Sequence, residues 1–122
     1  MKLAGDAEAT RWLTGLAGAT EDFEWDAGNR TKNRKHGVAA EEVEQLFRHP
    51  YVFEGCIVEP AHEEPRWLVL GRTDAGRLLA LVLTRRGDRL RPISCRPMRQ
   101  KEKRRHEQAI GGKKDDPDAP GA

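Results

Sequence analysis

The chain has 122 residues, 37% hydrophobic and 34% charged, which sets one small domain with a modest core. No apolar run approaches the ~20 residues of a membrane span, no signal peptide precedes the domain, and Cys56 and Cys95 lack metal-ligand or redox spacing, so a cytoplasmic protein without metal or cofactor is expected. The net charge of +2 hides an asymmetry: residues 1–84 carry net −4, residues 85–106 net +8 and the remainder net −2. A basic excess confined to one strand-plus-helix unit either attracts a polyanion, nucleic acid or an acidic protein, or merely solvates a face.

Residues 1–20 hold one apolar cluster, Trp12, Leu13 and Leu16, and read as an extension that is either a short helix or a mobile arm. The domain proper spans 21–110. Phe23-Glu24-Trp25 alternates like a short strand, and Asp26 suits the N-cap of a helix that runs to His36 and stops at Gly37. A second helix follows, with Val43, Leu46 and Phe47 on one face, closed by Pro50.

The period then changes to two. Tyr51–Glu59, Arg66–Arg72, Arg77–Arg85 and Arg89–Arg96 read as strands, the last three joined by short Gly- and Asp-bearing turns that make neighbours antiparallel. Pro92 has no N–H to give a ladder, so the final strand is expected at a sheet edge there. A basic helix, Arg99–Ile110, ends the domain, and 111–122 has the Gly, Pro, Asp and Lys composition of a disordered tail. The sum is an α+β domain: an antiparallel sheet of about four strands with a short N-terminal strand, two N-terminal helices and a basic C-terminal helix.

These segments, in this order, resemble the BrnT toxins. The resemblance rests on Phe23-Glu24-Trp25-Asp26, Asn33-Arg34-Lys35-His36-Gly37-Val38, Leu46-Phe47 with Pro50, and Glu64-Pro65-Arg66-Trp67. It continues through Leu70-Gly71, Gly76-Arg77-Leu78-Leu79, Thr84-Arg85-Arg86 and Arg91-Pro92-Ile93-Ser94-Cys95-Arg96. It implies a RelE-like fold and the toxin half of a type II toxin–antitoxin pair. Such a toxin cleaves RNA and halts translation. A BrnA-like ribbon-helix-helix antitoxin neutralises it, and DNA is reached only through that partner. The chain departs from the family's last-strand pattern at Pro92, Cys95 and Pro97-Met98, which removes a lysine. The rival reading is therefore a weak or inactive homologue that acts as a protein-binding co-repressor.

Metal-free RNA cleavage needs a base for the 2′-hydroxyl, cations for the phosphorane and an acid for the leaving oxygen. The expected catalytic set is Arg66, Arg77 and Arg96 with His36 or Glu64 handling protons. Arg66 shares a strand face with Leu68 and Leu70, and Arg77 begins the next strand, so the two are expected to meet across the sheet. The alternative is a rim salt bridge from Glu64 or Glu63. His36 is equally suited to a helix C-terminus, where a cation is favoured. Ser94 and Arg96, at i and i+2, can share one phosphate. Lys35, Arg86, Arg91, Lys101 and Arg104 complete the expected RNA-binding set; the basic helix has no interleaved aromatics for base stacking.

Overall fold

The structure is a computed structural model that describes residues 1–16 and 19–111; the expected disordered tail, 111–122, lies outside the described residues except for Gly111, which belongs to a helical turn. Five strands form one antiparallel sheet in sequential order: β1 (Lys2–Ala4), β2 (Val52–Glu59), β3 (Trp67–Arg72), β4 (Leu78–Arg86) and β5 (Arg89–Pro97). Among the described residues four α-helices accompany it: α1 (Ala7–Thr14), α2 (Ala27–Lys35), α3 (Ala40–Gln45) and α4 (Gln100–His106). A 3₁₀ turn, Leu46–Arg48, extends α3, and a π turn, Glu107–Gly111, extends α4. None of the described helices is long and apolar enough to cross a membrane.

The α+β class and the antiparallel meander match the sequence reading, with two corrections. The sheet has five strands rather than four, because Lys2–Ala4 pairs with β2. That docking depends on Gly55 (φ 128°), where a Cβ would lie 2.5 Å from the Ala4 carbonyl oxygen. The expected strand at Phe23–Trp25 is absent; Phe23 makes a single parallel bridge to Leu90. Trp25 bonds Glu44 through its indole N–H, and Asp26 already caps α2.

Alternation sorts the sheet into two faces. Trp67, Val69, Leu79, Leu81 and Leu83, with Leu90 and Cys95, pack against Leu13, Phe23, Val38, Val43, Leu46 and Phe47. Leu68, Leu70, Ala80, Ile57 and Met98 form a smaller core on the opposite face, which α4 covers in part. Burial on both faces explains why β3 and β4 are continuous apolar runs rather than alternating ones.

β5 is an edge strand, as Pro92 requires. A bulge puts Ser94 opposite Val82 and Pro92 opposite Leu83, leaving Ile93 as the extra residue. The exposed ladder groups are taken up by α2: Asn29 Nδ2 donates to the Pro92 carbonyl at 3.0 Å, and Asn33 Oδ1 accepts from the Cys95 N–H at 2.8 Å. One helix turn separates the two asparagines, so a single helix face closes the edge.

Candidate nucleic-acid interface

The first signature motif assembles one corner of the site. Phe23 enters the main core, while Trp25 Nε1 donates to buried Glu44 at 2.9 Å. Glu24 accepts from Arg91 at 3.0 Å, and Asp26 pairs with the other Arg91 nitrogen at 2.9 Å. The same Asp26 carboxylate caps α2 through the Asn29 N–H, and that hydrogen bond, followed by the one from Arg91, holds its pKa below the ordinary range. Arg91 is thus fixed between two carboxylates at the start of β5.

Register decides which cations share a face. Trp67 pairs with Leu83 and Leu68 with Val82, so Arg66 falls opposite Thr84, whose partner on the other side is Arg91. Val82 pairs with Ser94 and Ala80 with Arg96. Cross-strand partners point the same way, so Arg66, Arg91, Ser94 and Arg96 lie on the α4 side of the sheet. Arg86, two residues beyond Thr84, joins them.

Most of these guanidinium groups are held by carboxylates. Arg86 makes a bidentate pair with Glu64 at 2.9 and 3.0 Å and also approaches Glu24 at 3.6 Å. The Arg86 hydrogen bond lowers the Glu64 pKa, with the charges of Arg86, Arg66 and Arg91 adding to it. Arg96 makes a second bidentate pair, with Glu102 of α4, at 2.7 and 3.0 Å. Arg66 differs: its side chain makes no hydrogen bond or ion pair among the described residues, and its Nε is buried without a partner. An unpaired buried donor on a guanidinium is costly unless a ligand or water satisfies it.

Beside Arg96, a cleft of about 330 Å³ opens between β1 and α4, lined by Leu3, Leu68, Arg96, Arg99, Lys101 and Arg105. Lys101, Lys103 and Arg104 are exposed on the outer side of α4. The +8 window is therefore partly neutralised on its sheet side, by Glu24, Asp26 and Glu64 from the acidic part of the chain, and stays largely basic on its helix, where Glu54 pairs with Arg105 alone.

Three expected site residues stand elsewhere. Arg77 points to the opposite face, where it donates to the Gly37 carbonyl at 2.7 Å and to Glu42 at 3.2 Å. It does not meet Arg66, because the β3–β4 hairpin puts the start of β3 and the start of β4 at opposite ends of the ladder. His36 is the C-cap of α2 and Lys35 its last residue, both exposed beside that Arg77 contact. The rim salt bridge anticipated for Arg66 is also different: Glu64 pairs with Arg86, not Arg66.

Several groups that shape the site were not legible as such. Glu24, Asp26 and Glu102 act by pairing with Arg91 and Arg96, over separations that no local spacing reveals. Asn29 and Asn33 at i and i+4 were the readable signal for α2 docking on an edge. Cys95 offers no chemistry, since burial pushes its thiol pKa up to about 12.

A small antiparallel sheet thus gathers arginines and a hydroxyl on one face, groups whose chemistry suits phosphate. Residues 25–102 match the family model for the BrnT ribonuclease toxin of type II toxin–antitoxin systems, and the chain belongs to that family. A type II system implies an antitoxin partner and an RNA substrate. No curated protein matches the chain in sequence.

Proposed function

We propose that this protein is a metal-independent endoribonuclease toxin of RelE-like fold that inhibits translation and is silenced by a BrnA-like ribbon-helix-helix antitoxin. The observation that carries this reading is the register placing Arg66, Arg86, Arg91, Ser94 and Arg96 on one sheet face. RNA phosphates replace the Glu64 and Glu102 carboxylates on Arg86 and Arg96, since guanidinium binds both anions with the same bidentate geometry. Arg66, lacking a protein partner, is free to meet the developing phosphorane charge.

In the reaction, the 2′-oxygen forms a bond to its own phosphorus as the bond to the 5′-oxygen breaks. The 2′-proton passes to Glu64, released from Arg86, and the leaving 5′-oxygen takes a proton from solvent. His36, Lys35 and Arg77 lie outside this group and serve the α2–α3 corner. The products are a 2′,3′-cyclic phosphate and a 5′-hydroxyl.

The test is cleavage of end-labelled RNA by the purified full chain in EDTA, beside an Arg66→Ala/Arg96→Ala variant of matched fold. Cyclic-phosphate ends from the wild type alone support the reading. Cleavage that appears only after a divalent metal is restored overturns the metal-free chemistry. Cleavage that the double variant retains moves the site off this face.

A second reading is favoured by one observation: both bidentate pairs are satisfied internally, so Arg86 and Arg96 are occupied without RNA. In that case the protein is a catalytically weak homologue that docks on a DNA-binding partner as co-repressor.

A further inference from the structure

The residues that present the RNA face alternate with residues that build a second cleft on the other side of the sheet. Pro65 lies between Glu64 and Arg66, and Arg85 precedes Arg86. Pro65 and Arg85 line a cleft of about 350 Å³ with Asp6, Glu8, Trp12 and Trp67. That volume falls within the roughly 300–1,000 Å³ of small-ligand sites. Helix α1 forms one wall and lies outside the residues matched by the family model.

The cleft has an aromatic and cationic lining rather than a plain apolar one. The Arg85 guanidinium lies 5.0 Å from the Trp12 ring centroid, and Trp12 and Trp67 stand 6.0 Å apart with planes tilted by 53°. Trp67 is fixed by its Nε1 donating to Asp6 Oδ2 at 2.9 Å, and Asp6 in turn caps α1 through the Ala9 N–H at 3.0 Å. These two contacts lock the helix to the sheet and set the wall's position. Glu8 is exposed at the rim and makes no ion pair among the described residues.

From this geometry we infer a nucleobase subsite: a purine, guanine above the others, lies in the cleft beside Pro65 and stacks on the open face of the Arg85 guanidinium, which the Trp12 ring backs, with the Glu8 carboxylate taking its donor edge. Flat bases stack on aromatic rings and on guanidinium planes, and unpaired RNA bases are read along their Watson–Crick edges. Guanine alone presents two adjacent N–H groups on that edge, which match one carboxylate. The inference rests on the proposed ribonuclease reading for its purpose: adjacent residues serve both sites, so a strand held at Arg66 and Arg86 crosses the rim and delivers a neighbouring base into the cleft. The subsite would make cleavage selective for a purine near the cut.

The test is titration of the full chain with GMP, AMP, CMP, UMP and ribose 5-phosphate, read by tryptophan fluorescence. Saturable quenching by GMP, weaker by AMP and absent with ribose 5-phosphate, is expected. Arg85→Ser and Glu8→Gln, both surface changes, should each weaken GMP about tenfold, or about 1.4 kcal/mol. Equal quenching by ribose 5-phosphate, no saturable quenching, or GMP binding unaltered by Arg85→Ser overturns the subsite. So does loss of antitoxin affinity in Arg85→Ser with no nucleotide binding, which makes the cleft a protein contact. GMP binding that persists in a chain that cuts no RNA supports the subsite while overturning the ribonuclease reading.

Discussion

Asn33, fully buried on α2, accepts the Cys95 backbone N–H of β5 at 2.8 Å, so a helix side chain completes the ladder of an edge strand. The second signature motif begins at this residue, and its role is to hold α2 against the strand that carries Ser94 and Arg96. Asn33→Ala leaves the Cys95 N–H buried without an acceptor, at a cost of about 1–3 kcal/mol. A 60–100-residue domain loses roughly 4–8 °C in Tm per kcal/mol. Thermal unfolding should therefore fall by several degrees or more; an unchanged Tm would mean that the edge is closed by something else.

Arg96 and Glu102 make a separate prediction. Glu102 accepts both Arg96 nitrogens and also the Arg99 N–H that starts α4, so one carboxylate joins the sheet face to the helix. Glu102→Gln keeps an acceptor for Arg99 but gives up the charge. RNA affinity should rise severalfold as Arg96 becomes available, while stability drops, because breaking a buried pair costs up to about 3–5 kcal/mol and less where the arginine retains some exposure. Filter binding and denaturant unfolding on the same sample read both effects. Weaker RNA binding by a folded Glu102→Gln would show that the pair positions Arg96 instead of restraining it.

Acid should unfold the protein in two stages. Desolvation pushes the His106 pKa down, with the Arg72 charge adding to it, and its Nε2 is buried without a partner. A lowered pKa on a base means that its stability contribution is complete above 6.5 and fades as pH falls toward the folded value. For Glu102, burial raises the pKa but the bonds from Arg96 and the Arg99 N–H outweigh it, leaving a net lowering. Its contribution is complete above 4.5 and is lost as pH drops through the lower folded value. Melting curves from pH 8 to 3 should show both losses; His106→Gln should remove the first, and Glu102→Gln should lessen the second, which Asp26 and Glu64 share.

The elements of the core were readable because their signals are local. Asp26 and Gly37 bracket α2, and the turns flanking β4 define the hairpins. The strand at Lys2–Ala4 was not, since three residues carry no usable period and their pairing depends on Gly55 fifty residues away. α4 was legible as basic but not as docked: Gln100–His106 contains no apolar residue, and what it buries is Glu102 and His106. The arginine face was half legible. Strand parity gave Arg66 and Ser94–Arg96, but the bulge at Ile93 and the hairpin direction decide that Arg91 joins them and Arg77 does not.

That separation of Arg66 from Arg77 supplies the sharpest test of the proposed chemistry. Both are arginines at the start of a β-strand, yet Arg77 is satisfied by the Gly37 carbonyl and Glu42, while Arg66 has an unpartnered Nε. Arg77→Ala removes a contact that ties β4 to the α2–α3 corner. It should lower stability by about 1–3 kcal/mol, the cost of leaving its partners unsatisfied, and reduce cleavage by less than tenfold. Arg66→Ala should leave Tm nearly unchanged or raised, because a buried donor disappears, and should cut turnover roughly 10²–10³-fold, as loss of one preorganised donor does. Single-turnover cleavage and thermal melts of the two variants, side by side, decide it. Turnover that collapses with Arg77→Ala while Arg66→Ala stays active would place the reacting centre at the α2–α3 corner, beside His36 and Lys35.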